Sequence, residues 1–205
     1  MKKIFFFPFA GANAYSYNPL LASLDPNIEC RVFELPGRGR RISEKLLTDL
    51  PSMVDDLCSN LKEETGSSYS FYGHSMGAIL AYLVALKITT DGTIPPPAYL
   101  FLSGRRAPHI PSRKPSMYNL PLDQLLTELK EMGGIPEEIP VSVMKGIEED
   151  LTCQEADAWR EVTSGRFEIR QFRGNHFFIF ERPAEVADVI HTHLQLATSH
   201  NYLTL

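Results

Sequence analysis

A chain of 205 residues, 43% hydrophobic and 22% charged, is long enough to close one core without disulfides or metals and is ordinary for a water-soluble globular protein. Its formal net charge of -5 speaks against nucleic acid as a partner, which would ask for a basic footprint. The three cysteines (Cys30, Cys58, Cys153) are far apart with no C-x-x-C pair, which excludes a disulfide framework or a zinc ribbon and fits reduced thiols in a cytoplasmic protein.

Two lysines ahead of an apolar run give the N-terminus the outline of a signal peptide, but the run is short and breaks at Pro8. Ile4–Phe7 is better read as the buried first strand of a parallel sheet. A Gly/Ala-rich turn then leads to a short helix near Leu20–Leu24, and Cys30–Leu35 is a second strand. Ser52–Lys62 aligns Met53, Val54, Leu57 and Leu61 on one helical face. Tyr69–Tyr72 is a strand, Met76–Ile88 an apolar helix, and Ala98–Leu102 a strand. The Pro-, Ser- and Arg-rich stretch 105–120 reads as loop, followed by an amphipathic helix at Leu122–Glu131. Val141–Met144, Phe167–Phe172 and Ala184–Leu194 close the chain as strand, strand and helix. No later run reaches the ~18 apolar residues of a membrane span. Strands separated by helices predict an α/β fold, a mostly parallel sheet covered on both faces, in a single domain spanning 1–205. The segment 105–139, inserted beyond the edge where a site would form, is expected to be a lid.

Chemistry concentrates at Gly73-His74-Ser75-Met76-Gly77, a G-x-S-x-G between a strand and a helix. A serine hydroxyl becomes a useful nucleophile when a tight strand-to-helix turn projects it, with small neighbours to permit the turn and a helix N-terminus behind it. The base expected for Ser75 is His176, which follows the last strand in the order Ser…acid…His of the α/β-hydrolase fold. His74 is expected to pack under the turn, and His191 and His193, two apart on the last helix, to sit on a solvated helix end. The acid falls in Glu148-Glu149-Asp150, after the strand Val141–Met144. Asp150, the only aspartate of that run, and Glu149 both qualify, while Asp157 reads as a helix-surface residue. The oxyanion hole needs two backbone N–H donors: Met76, which follows the nucleophile, and Ala10 in the loop after the first strand.

Taken in order, Phe7-Pro8-Phe9-Ala10-Gly11, Leu35-Pro36-Gly37-Arg38, the Ser75 turn, Gly133-Gly134-Ile135-Pro136, Ala158-Trp159-Arg160 and Gly174-Asn175-His176-Phe177-Phe178 make a longer pattern. It resembles the type II thioesterases of nonribosomal peptide and polyketide synthesis, relatives of the medium-chain acyl carrier protein hydrolases, from about residue 3 to 195. The resemblance implies a stand-alone enzyme that clears acyl groups from the phosphopantetheine thioester of carrier proteins; a monomer is the default expectation, and no metal or organic cofactor is implied. Ser75 would form an acyl-enzyme, and region 117–139 would cover the acyl chain. It also implies two departures. The chain runs from Gly133–Glu138 almost directly into Pro140–Val143, so the lid is short. The family's acid is an aspartate at a spacing nearer Glu149 than Asp150. Arg38, Arg40, Arg41, Arg105, Arg106, Arg113 and Lys114 are expected at the mouth, facing an acidic carrier. Two other readings share these residues: a general carboxylesterase, and a relative that grips a carrier without turnover.

Overall fold

The computed structural model describes residues 2–62, 68–92, 94–111 and 138–200; the expected helix Leu122–Glu131, the Gly133–Pro136 stretch, Arg113 and Lys114 lie outside the described residues. Six strands form one sheet: β1 (Lys2–Phe7), β2 (Ile28–Val32), β3 (Tyr69–His74), β4 (Leu100–Ser103), β5 (Val141–Gly146) and β6 (Phe167–Phe172). Their order is β2-β1-β3-β4-β5-β6 and every neighbouring pair is parallel, as in β1 against β3, where Phe6 faces Tyr72 and Phe7 faces Gly73.

The Phe-rich run that makes β1 explains the layering. Successive side chains point to opposite faces. Phe5 and Phe7 enter one core with α2 (Leu50–Lys62) and α3 (Met76–Asp91). Ile4 and Phe6 enter the other, with α1 (Asn18–Leu21) and the C-terminal helix α6 (Pro183–His200). All four are fully buried, each contributing about 1.5–3 kcal/mol by leaving water. α3 is buried nearly all round, which its uninterrupted apolar sequence requires. Between β5 and β6 lie a one-turn helix α4 (Cys153–Asp157) and the 3₁₀ turn Ala158–Val162, which carries the buried Trp159. A second short helix, α5 (Phe178–Glu181), precedes α6.

Parallel pairing puts every strand's C-terminal end on one edge of the sheet. Leaving β1, the chain pairs β2 on one side and later lays β3 on the other, so the loops after β1 and β3 diverge at a crevice. The Gly73–Gly77 turn sits there. Among the described residues no helix is long and apolar enough to cross a membrane.

Candidate active site

Ser75 is the one non-glycine residue with positive φ among the described residues, at φ 54° and ψ -116°. Two glycines permit that turn. A Cβ on Gly73 would lie 2.2 Å from the Gly77 carbonyl oxygen, and one on Gly77 would lie 2.4 Å from the Phe7 carbonyl oxygen. The turn therefore folds on itself, and the start of α3 presses against the end of β1. The Ser75 N–H donates to the Ser103 carbonyl at 2.8 Å, tying the turn to β4. The same close approach brings the loop Pro8–Ala12 beside Met76. Ala10 and Met76 together line an apolar pocket of about 170 Å³ that runs back to Leu35, Leu47 and Met53.

His176 stands on the loop after β6. Asn175 shapes that loop: its side chain accepts from the Phe177 N–H at 2.8 Å and its carbonyl from the Phe178 N–H at 3.1 Å, which turns the chain into α5. The acid facing the imidazole is Glu149. Its Oε2 lies 2.9 Å from His176 Nδ1 and its Oε1 accepts from the Gly146 N–H at 2.8 Å, with the side chain only 3% exposed. The expectation of Asp150 gives way here. Ile147 N–H and Glu148 N–H bond back to the Phe172 and Gly174 carbonyls, so the turn holds its next residue inward against His176 and leaves Asp150 exposed. Asp157 ends α4 on the surface, paired with Arg160.

Ser75, Glu149 and His176 line one open cleft of about 600 Å³, with Arg105, Arg106, Glu148, Asp150 and Asn175 around it. His74 lies beneath, fully buried, its ring 4.7 Å from that of His176. Its Nδ1 shares a hydrogen bond with Ser103 Oγ at 3.0 Å, and Ser103 Oγ meets the Tyr72 hydroxyl at 3.1 Å. Burial first, and the neighbouring His176 second, push the His74 pKa down to about 3. At neutral pH His74 is an uncharged plate under His176, so His176 can take up a proton without a second cation in contact.

Gly104 closes the group from the β4 side. It has φ +61°, and a Cβ there would fall 2.6 Å from His74 Cε1 and 3.0 Å from His176 Cε1. Gly104→Ala is expected to cost more than about 1 kcal/mol in urea unfolding, from backbone strain and the clash together. Displacing His176 should lower kcat by up to about 100-fold.

Sequence reasoning missed two structural carboxylates. Glu34, 4% exposed at its side chain, accepts from the Ala14 N–H at 2.8 Å and pairs with Arg40, so it ties the loop after β1 to the loop after β2. Glu168 meets His193, which is buried rather than solvated, and His191 accepts from the Asp25 N–H at 2.9 Å. Several of the basic residues expected at the mouth are already engaged. Arg41 bridges Asp56 and Glu44, Arg40 holds Glu34, and Arg106 holds Glu155.

A thioesterase domain model matches residues 2–149. Among similar curated proteins, the gramicidin S biosynthesis protein GrsT of Aneurinibacillus migulanus is 28% identical over 95% of this chain and 89% of its own length. The medium-chain S-acyl fatty acid synthase thioesterase of Homo sapiens is 26% identical over 87% of this chain and 81% of its own. Among solved structures, the type II thioesterase BorB from the borrelidin biosynthetic cluster superposes with a TM-score of 0.80 at 27% identity, covering 95% of this chain and 91% of its own.

Proposed function

The chain belongs to the thioesterase domain family, and we propose that it frees acyl groups from the phosphopantetheine thioester of acyl or peptidyl carrier proteins, acting as a monomer. The observation that carries the chemistry is the Glu149–His176 hydrogen bond in the cleft that Ser75 shares. Ser75 Oγ attacks the thioester carbonyl while His176 Nε2 takes its proton, and Glu149 holds the imidazole in the Nδ1–H tautomer and steadies the imidazolium. The oxyanion is held by the Ala10 and Met76 N–H groups, aided by the N-terminus of α3. Collapse of the tetrahedral species breaks the C–S bond, and the pantetheine sulfur leaves with the proton from His176. Water, deprotonated by His176, then cleaves the acyl-serine, returning Ser75 and a free acid. The apolar pocket beside Ala10 and Met76 takes the start of the acyl chain; its volume of about 170 Å³ resembles that of cavities known to hold a six-carbon ring.

Thioesters and oxygen esters use the same triad, so the substrate preference decides between a thioesterase and a general carboxylesterase. The discharge of an acyl carrier protein should exceed hydrolysis of the p-nitrophenyl ester of the same acid by about 100-fold or more in kcat/KM, because carrier and arm supply remote binding energy. Equal rates would favour the carboxylesterase. Tight carrier binding with no turnover of either would favour the silent relative.

A further inference from the structure

Among the described residues, Arg105 is the unspent cation of the catalytic cleft. It follows Gly104, where an added Cβ would collide with both histidines, and lines the cleft with Ser75 and His176. Its backbone is fixed, since its carbonyl accepts from the Trp159 indole N–H at 2.8 Å and Trp159 is fully buried. Its side chain has no comparable anchor. The Nε atom is buried with no hydrogen-bond partner, and no ion pair holds the guanidinium among the described residues. The acids nearby are otherwise placed: Glu149 is bonded to His176, Arg106 claims Glu155, and Glu148 and Asp150 are exposed at the rim.

A desolvated guanidinium beside a second arginine is costly to keep unless something anionic arrives. The Arg105 pKa is lowered, first by desolvation and then by repulsion from Arg106, with no carboxylate among the described residues offsetting either. A guanidinium also presents a planar fork of donors suited to two oxygens of one anion.

We propose that Arg105 is the receptor for an oxyanion carried by the substrate, so that the polar cleft selects thioesters bearing a phosphate on the pantetheine arm or a carboxylate on the acyl group. The proposal rests on the thioesterase reading above and deepens it. It also separates two sides of Ser75: the polar cleft toward Arg105 takes the charged part of the substrate, and the apolar pocket behind Ala10 takes hydrocarbon.

The test is equilibrium binding in a Ser75→Ala background, where thioesters survive, by calorimetry with three ligands: butyryl-pantetheine, butyryl-phosphopantetheine and succinyl-pantetheine. One charged ligand should bind about ten- to a hundred-fold tighter than the neutral one, in keeping with a charge-assisted hydrogen-bond pair. Arg105→Met should abolish that advantage, and Arg105→Lys, which keeps charge but loses the fork, should retain part of it. Which ligand gains identifies the source of the oxyanion. No advantage for either charged ligand, or an advantage that survives Arg105→Met, overturns the proposal. Because the readout is binding, it stands apart from turnover by wild type, whose failure would instead count against the thioesterase reading.

Discussion

Ser75→Ala is expected to lower thioester hydrolysis by about 10⁶-fold in kcat, to a residue of activity left by the oxyanion donors and binding alone. The size of this loss follows from the turn. Held at φ 54°, Ser75 is kept in a conformation that L-residues avoid, by Gly73 and Gly77 packed against neighbouring backbone and by its own N–H on Ser103. Such strain is retained where a side chain must be presented in one direction. Alanine tolerates the turn no worse than serine, so melting temperature should hardly move while turnover disappears. A matched fall in both would mean that Ser75 serves the fold instead.

Glu149→Gln should lower kcat by about 10³- to 10⁴-fold with little change in KM, whereas Asp150→Asn should stay within a few-fold of wild type. Glutamine keeps the volume and a hydrogen-bonding end. It removes the charge that favours Nδ1–H and stabilises the imidazolium after proton transfer. Asp150 is one residue away, exposed, and lines the same cleft, so it controls for the general effect of removing a negative charge there. Steady-state kinetics on an acyl-pantetheine thioester separates the two. The reverse ranking would place the acid at Asp150 and would require the 147–150 turn to rearrange on binding.

Much of the fold was legible because buried parallel strands are short apolar runs between helical periods. Phe167–Phe172 agrees with β6 at both ends, and Ile4–Phe7 lies inside β1. Cys30–Leu35 misjudges β2, which spans Ile28–Val32. Phe33 and Leu35 are apolar because they pack in the core with α2, not because they extend the sheet, and an apolar pattern alone does not distinguish these. Residue type left Glu149 beside Asp150 as a candidate, and only the family spacing leaned toward it. Hydrogen bonds from Ile147 and Glu148 back to the neighbouring loop select it, and such bonds leave no mark on side-chain identity. His193 had a usable signal. It follows Val186 and Ile190 on the face of α6 that meets the core, which a 3.6-residue period would have revealed. The pairings of Arg40, Arg41 and Arg106 join residues from separate loops and helices, so counting basic residues overstated the free charge at the mouth.

The central claim is that Ser75 is a nucleophile activated by His176 and Glu149. Intact-protein mass spectrometry after treatment with a fluorophosphonate tests it most directly, on wild type, Ser75→Ala, His176→Ala and Glu149→Gln. One adduct on wild type, none on Ser75→Ala, and much slower labelling of the other two is the expected result. Wild type that is folded yet unlabelled, or Ser75→Ala that still takes one adduct, would contradict it.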